Sequence, residues 1–127
     1  MSLDISPLIP TGRQVIQGYK GGMFRVGNAD YAGPILVFPD RTLAWAAPAF
    51  ADLTLGHFAP ILQSGPLVQV LLLGCGNAMH LPSLALRNQL KSAGIVIEAM
   101  DTGAACRTFN VLMGEDRRVA AALLPAT

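Results

Sequence analysis

Hydrophobic residues in the second half of the chain alternate between continuous apolar runs and stripes at helical spacing. The apolar runs are Leu67–Leu73, Ile95–Glu98 and Val119–Leu124, and the helical stripes fall within Ser83–Ala93 and Asp101–Met113. Continuous runs of this length are typical of buried strands, and apolar side chains repeated every three or four residues are typical of a helix that buries one face. Residues 67–124 are therefore predicted to form a β-α-β-α-β unit.

The first half carries shorter apolar runs that glycine and proline interrupt, which is the pattern of strands joined in hairpins. Strands are predicted at Val15–Tyr19, Met23–Val26, Ala29–Tyr31, Ile35–Phe38 and Thr42–Trp45, with a short helix at Thr54–Leu62. The run Ile35–Phe38 does not alternate, so it is expected to be buried on both faces. Residues 1–12 contain two prolines and several apolar side chains, and we expect an extended arm that lies against the body.

These elements predict one α/β domain that spans residues 1–127 and has a hairpin-rich N-terminal half. Strands separated by helices pair in parallel through right-handed crossovers, whereas hairpins add antiparallel strands. We therefore expect the two halves to share one mixed sheet.

Composition bears on what covers the outside of this domain. Apolar residues make up 52% of the chain and charged residues 13%, about half the usual charged share of roughly 25%. So few charges leave part of the outside apolar, which predicts burial against another chain, most simply a second copy. A small, alanine-rich and well-packed monomer accounts for the same composition.

Charge and cysteine content exclude several classes of protein. The nine basic residues are scattered, and the adjacent pair Arg117-Arg118 follows two acidic residues, so the sequence has no basic stripe for a nucleic-acid backbone. Cys75 and Cys106 lack a CxxC spacing and are expected to be free thiols in a reducing compartment. No targeting peptide is visible, and no apolar run reaches the ~20 residues of a membrane span. A cytoplasmic protein is therefore expected.

Polar side chains gather in the two loops that follow the strands at 67–73 and 95–99. In open α/β sheets, ligands bind at the carboxyl ends of the strands, so these loops are candidates for one shallow cleft. The candidate cleft or interaction residues are Gly74, Cys75, Gly76, Asn77, His80, Asp101, Thr102, Arg107 and Asn110. Asp101 is also a candidate helix N-cap, and Asn110 a candidate bond to buried backbone or to a partner.

Gly74-Cys75-Gly76 is similar to the start of a dinucleotide-binding fingerprint, and Glu98 lies near the place of its ribose-binding acid. However, Met79 occupies the third glycine position, and the turn is too long to place phosphates at a helix N-terminus. The chain contains no GK[ST] sequence of a P-loop. A nucleotide cofactor is not expected, and the glycines are better explained by a turn with close backbone packing.

Cysteine chemistry supplies the sharpest enzymatic hypothesis, with Cys75 as nucleophile and His80 as its base. Their spacing in a loop permits contact, but no known nucleophile motif surrounds them. Metal binding by Cys75, His80 and Cys106 would need a fourth ligand and matches no zinc spacing. Cys106 stands within an apolar helix and is expected to be a core residue. We therefore assign no catalytic residue, metal or cofactor.

Three segments of the chain resemble a known family, namely Val70–Gly76, Gly94–Thr102 and Ala104–Leu112. This is a domain-of-unknown-function family that includes mitochondrial respiratory complex I assembly factor 3 and the adipogenesis-associated protein of the same fold. The likeness extends from Met23 to Leu124. It implies a three-layer α/β fold with a mixed central sheet. It also implies a non-enzymatic role through protein contacts, with no catalytic residues to carry over.

The leading hypothesis is a protein-interaction domain with the role of an assembly factor. Its expected partners are respiratory-complex or membrane-assembly components, together with a second copy of the chain. No mitochondrial presequence is expected, and the chain is expected to be of the bacterial type. The alternative is a small-molecule-binding domain or minor enzyme that uses the two loops. Asp101 discriminates between them, because an enzyme needs its carboxylate close to Cys75 and His80, whereas an N-cap bonds its own helix.

Overall fold

The computed structural model describes residues 13–127, so the arm expected at residues 1–12 lies outside the described residues. The strands are β1 (Ile16–Lys20), β2 (Met23–Val26), β3 (Ala29–Ala32), β4 (Ile35–Val37), β5 (Thr42–Ala44), β6 (Val70–Cys75), β7 (Val96–Met100) and β8 (Val119–Leu124). The α-helices are α1 (Ala59–Leu62), α2 (Leu84–Ser92) and α3 (Thr102–Gly114). Short 3₁₀ helices lie at Phe50–Asp52, Leu55–Phe58 and Gly65–Leu67.

The central sheet is mixed and has the strand order β5-β4-β8-β6-β7. Strand β6 pairs in parallel with both β7 and β8, and its Leu72 lies opposite Glu98 and Ala121. Strand β4 runs antiparallel to β8 on one side and to β5 on the other. The α/β class, the mixed sheet and the β-α-β-α-β unit predicted from the sequence are therefore confirmed.

The first three strands form a second sheet of their own, in the order β1-β2-β3. The expectation that every hairpin adds to one sheet is wrong for these strands. Gly33 has a φ of 78° and turns the chain between β3 and β4, a conformation that glycine adopts without steric cost. Ile16, Phe24 and Val26 then point into the core beside α3. The small sheet therefore covers one face of the central sheet and does not extend its edge.

The central sheet has an apolar core on each face, which makes the domain three-layered. On one face, Leu71 and Leu73 pack with Leu86 and Leu90 of α2. On the other face, α3 and the small sheet pack in a core that includes Leu72. Helix α2 connects β6 to β7, and helix α3 connects β7 to β8. These two right-handed crossovers run in opposite directions along the sheet, so α2 and α3 lie on opposite faces.

Strand β6 begins three residues later than predicted and ends two residues later. Pro66 lies in a 3₁₀ helix that holds Leu67 out of the sheet. At the other end, Gly74 pairs with Met100 and Cys75 pairs with Leu124. Both candidate residues were predicted to lie in a loop, and that prediction is wrong because backbone pairing on both sides continues past the apolar run.

The predicted helix at Thr54–Leu62 forms as a 3₁₀ helix followed by a single α-helical turn. Pro60 lies in the first turn of α1, where its missing N–H group costs no intrahelical hydrogen bond. Phe58 and Ile61 are its buried side chains. Leu62 packs against the same core as a partly buried side chain.

Candidate functional site

The two predicted loops meet at the carboxyl ends of the parallel strands, and Thr102 joins them. Its hydroxyl group accepts a hydrogen bond from the Gly76 N–H at 2.8 Å and donates one to the Leu124 carbonyl at 2.6 Å. Its own N–H donates to the Gly76 carbonyl at 2.9 Å. Thr102 has no exposed surface. One threonine therefore ties together the ends of β6, β7 and β8.

Gly74 lies at this junction, where the side chains of Leu123 and Thr102 leave too little space for a larger residue. A Cβ atom at Gly74 would lie 2.9 Å from Leu123 Cδ2 and 3.0 Å from Thr102 Oγ1. Contacts this short do not occur between real carbon atoms without movement of a neighbour. The side chains of Leu123 and Thr102 therefore pack directly against the backbone at the carboxyl end of β6.

Cys75 is buried, and its thiol donates to the carbonyl of His80 at 3.4 Å and to that of Leu73 at 3.6 Å. Burial raises the pKa of this thiol above its ordinary value, which keeps it protonated near neutral pH. The imidazole ring of His80 packs on Phe50, with the ring centroids 5.4 Å apart. His80 therefore meets Cys75 through its backbone, and the arrangement lacks the ring-to-thiol contact of a cysteine nucleophile.

Three other polar candidates hydrogen-bond to the protein's own backbone. Asp101 accepts from the Ala104 N–H at 2.9 Å, as an N-cap of α3 does. Asn77 accepts from the N–H of the C-terminal residue, Thr127, at 3.0 Å. Asn110 accepts from the Ile16 N–H at 2.9 Å and donates to the Ile16 carbonyl at 2.8 Å. Asn77 and Asn110 therefore join distant segments of the chain, whereas Asp101 caps its own helix.

The two remaining polar or thiol groups of interest lie on different sides of α3. Arg107 is exposed on the helix surface. Cys106 lies in the core with Phe109 and Met113, as its apolar surroundings predicted. Burial raises the pKa of the Cys106 thiol to about 12. Within residues 13–127, no group of three or more His, Cys, Asp and Glu side chains is placed to hold a metal ion.

Sequence reasoning missed the apolar surface beside this junction. Met79, Leu81 and Leu84 are exposed by 57%, 65% and 62% as the chain passes from β6 into α2. Leu81 also lines a groove of about 270 Å³, whose other lining residues are Phe50, Ala51, Leu53, Pro82, Ser83 and Leu86. We call these three side chains and the groove the apolar edge.

The sequence contained a signal for this surface, since it holds no Asp, Glu, Lys or Arg between Asp52 and Arg87. The apolar edge draws its side chains from both ends of that uncharged stretch and from Phe50 and Ala51, which precede it. A surface with no charge of its own loses little hydration free energy when another protein covers it. Such a surface is suited to contact with a protein partner.

No helix within residues 13–127 is both long enough and apolar enough to cross a membrane.

Fold and site together define an α/β domain with a mixed sheet, whose strand ends are joined by hydrogen bonds of Thr102 and lie beside an uncharged surface. Residues 16–124 match the model of the DUF498/DUF598 family of proteins of unknown function. The chain belongs to this family.

Two relatives show how the family is distributed. A protein of Rhodobacter capsulatus is 37% identical over 115 residues, which are 90% of this chain and 86% of that one. The NADH dehydrogenase [ubiquinone] 1 alpha subcomplex assembly factor 3 of Danio rerio is 33% identical over 111 residues. That match covers 87% of this chain but 64% of the assembly factor, so the chain spans less than two thirds of the relative's length. The predicted relationship to complex I assembly factor 3 is confirmed.

Solved structures of the same fold cover almost the whole chain. The crystal structure of an outer membrane protein from Bartonella henselae is 34% identical, with a TM-score of 0.83 over 91% of this chain and 98% of that one. The solution structure of a Mth938-like domain from Bordetella pertussis is 29% identical, with a TM-score of 0.78 over 98% of this chain and 92% of that one.

Proposed function

We propose that this protein is a non-enzymatic protein-interaction domain that acts as an assembly factor and binds a component of a respiratory complex through the apolar edge. The observation that carries the proposal is the exposure of Met79, Leu81 and Leu84 within a stretch that has no charged residue. The assembly-factor relatives supply the class of partner.

The energetics of burial favour this use of the edge. Covering a large apolar side chain contributes about 1.5–3 kcal/mol, so Met79, Leu81 and Leu84 together offer several kcal/mol before association costs. Asn77, His80 and Arg87 border the same segment and place polar groups around its apolar centre. An apolar centre with a polar rim is the usual anatomy of a specific interface.

The alternative of a small-molecule-binding domain or minor enzyme loses its main physical support. Asp101 bonds its own helix, and the buried Cys75 thiol bonds backbone carbonyls. Thr102 bonds the Gly76 N–H and packs against Gly74 at the ends of the strands, which weighs against a ligand between them. No observation at the carboxyl edge favours a reaction over a contact.

A crosslinking pull-down from the native host tests the proposal. We expect the wild-type chain to recover respiratory-complex components and Leu81→Ser/Leu84→Ser to recover at least about tenfold less, because two apolar contacts are lost. The matched control is Met23→Ser/Val111→Ser, which removes two exposed apolar side chains on β2 and α3, away from the apolar edge, and should recover as much as wild type.

Equal recovery by the edge variant and the control, or recovery of no respiratory-complex component by any of them, would contradict the proposal. Light scattering across a dilution series separates binding of a second copy from binding of a different protein. A mass that falls on dilution in wild type, but not in the edge variant, would assign the edge to self-association.

We propose a cytoplasmic location for the chain. Cys75 and Cys106 are unpaired and buried, and a reducing compartment keeps such thiols in this state. Cell fractionation with a tagged chain tests the location, and recovery in an exported fraction would contradict it.

A further inference from the structure

A second groove lies at the opposite end of the central sheet, where the chain leaves β4 and enters β6 and β8. It has a volume of about 250 Å³ and is lined by Arg13, Phe38, Pro39, Asp40, Arg41, Leu67, Asp116, Arg117 and Arg118. Four of the chain's nine basic residues meet here from three distant parts of the sequence. We call this surface the arginine groove.

Several contacts hold the guanidinium groups in place. Arg13 Nη2 lies 3.2 Å from Asp116 Oδ1, and the guanidinium of Arg41 lies 4.0 Å from the centre of the Phe38 ring. Arg118 Nη1 approaches the Pro66 carbonyl at 3.4 Å. The groove contains two aspartates against four arginines. Asp116 pairs with Arg13, and Asp40 lies 3.4 Å from Arg41, so the excess of positive charge falls on Arg117 and Arg118.

The groove also has an apolar component. Leu67 is exposed by 65% and lies among the lining residues with Phe38 and Pro39. Apolar surface beside guanidinium groups suits a ligand that carries both carboxylates and a hydrophobic side chain. A dense run of phosphates fits less well, because Asp40 and Asp116 are part of the groove and repel it.

We propose that the arginine groove binds an acidic segment of a partner protein in which two carboxylates flank an apolar side chain. The carboxylates meet Arg117 and Arg118, and the apolar side chain covers Leu67. The groove lies at the amino ends of β6 and β8, whereas the apolar edge lies at the carboxyl end of β6. The two surfaces can therefore hold different parts of one partner, or two partners, and this inference does not rest on the proposed function.

The test is fluorescence anisotropy with the purified full chain and a labelled peptide, blocked at both ends, in which two glutamates flank a leucine. We expect saturable binding that weakens with added salt. Arg117→Ala/Arg118→Ala should bind about tenfold more weakly, because two exposed charge pairs are lost. The matched control is Lys20→Ala/Lys91→Ala, which removes the same charge from two exposed positions outside the groove and should bind like wild type.

Two further comparisons separate the chemistry of the groove. A peptide with glutamine in place of glutamate should bind the wild-type chain far more weakly. The Leu67→Ser variant should bind the glutamate peptide several-fold more weakly than wild type does. Leu81→Ser/Leu84→Ser should bind the glutamate peptide like wild type. The peptide result is therefore independent of whether the apolar edge binds a respiratory-complex component. Urea denaturation of each variant establishes that it is folded.

Absence of saturable binding by the wild-type chain would overturn the proposal, as would equal binding of the two peptides. If the groove variant and the lysine control lose the same peptide affinity, the loss is explained by net charge alone, and this outcome also contradicts the proposal. Flotation with vesicles that contain phosphatidylserine provides the last comparison. Vesicle binding that depends on Arg117 and Arg118, without peptide binding, would assign the groove to an anionic membrane surface.

Discussion

Thr102 has no exposed surface, and its hydroxyl group serves two backbone groups that have to be buried at the strand ends. A buried N–H or carbonyl without a partner costs about 1–3 kcal/mol. At the scale of single residues, the ends of β6, β7 and β8 are therefore joined by hydrogen bonds of Thr102, which is buried where water cannot take its place. The same tight packing leaves no room for a Cβ atom at Gly74.

We expect Thr102→Val to lower the free energy of unfolding by about 2–3 kcal/mol, since valine keeps the shape but leaves the Gly76 N–H and the Leu124 carbonyl without a partner. Urea denaturation measures this value. Thr108→Val is the control, because it makes the same change at a less buried position of the same helix and should cost no more than about 0.5 kcal/mol. Equal losses in both variants would contradict the role of the hydroxyl group.

At the scale of secondary-structure elements, Asn110 connects α3 with β1. Its amide pairs with both backbone groups of Ile16, as a neighbouring strand would. The small sheet packs on the central sheet through Ile16, Phe24 and Val26. Apolar contacts alone allow a strand to shift its register, so the bonds of Asn110 fix the position of β1.

Asn110→Ala should lower the free energy of unfolding by about 1–2 kcal/mol, because it removes two hydrogen bonds and leaves the backbone of Ile16 partly unsatisfied. Hydrogen exchange followed by NMR should show faster exchange of the Ile16 amide. Asn88→Ala on the exposed face of α2 is the control and should change neither quantity. An unchanged exchange rate at Ile16 would show that packing alone positions β1.

At the scale of the whole molecule, burial of Cys106 couples stability to pH. Its pKa is raised from an ordinary value of 9.0 to about 12 because the core disfavours the thiolate. Below pH 9 both folded and unfolded chains keep the proton, so the thiol has its full stabilising effect. As the pH rises from about 9 towards 12, the unfolded chain releases the proton first, and the folded state loses stability.

We expect this loss to grow by about 1.4 kcal/mol for each pH unit above 9, so that it approaches about 4 kcal/mol as the folded thiol itself begins to ionise. Urea denaturation at a series of pH values measures it, and Cys106→Ala provides the comparison because its other titrating groups are the same. The difference in unfolding free energy between wild type and Cys106→Ala should be constant below pH 9 and should shrink above it. A constant difference at all these pH values would show that the folded thiol ionises normally.

At the candidate site, some residue roles could be predicted from neighbouring sequence and others could not. Asp101 as an N-cap and Cys106 as a core residue followed from local sequence, since each role depends on neighbours in one helix. The role of Asn110 stayed open between buried backbone and a partner, because its bonds reach Ile16 on a distant strand. The close packing at the strand ends did not follow, because a glycine turn has the same sequence whether the space beside it is empty or filled. Thr102 fills it through bonds to Gly76 and Leu124, which lie on other strands.

The sequence by itself determined the α/β class, the β-α-β-α-β unit, the ends of its helices and the uncharged stretch between Asp52 and Arg87. Periodicity, caps and the order of charges are local properties, so they can be read along the chain. Only the tertiary structure decided that β1–β3 form a separate sheet and that the strand ends close on Thr102. It also decided that arginines far apart in the sequence share one groove. The reason is that pairing and packing between distant segments depend on which faces and edges meet, and no single segment carries that information.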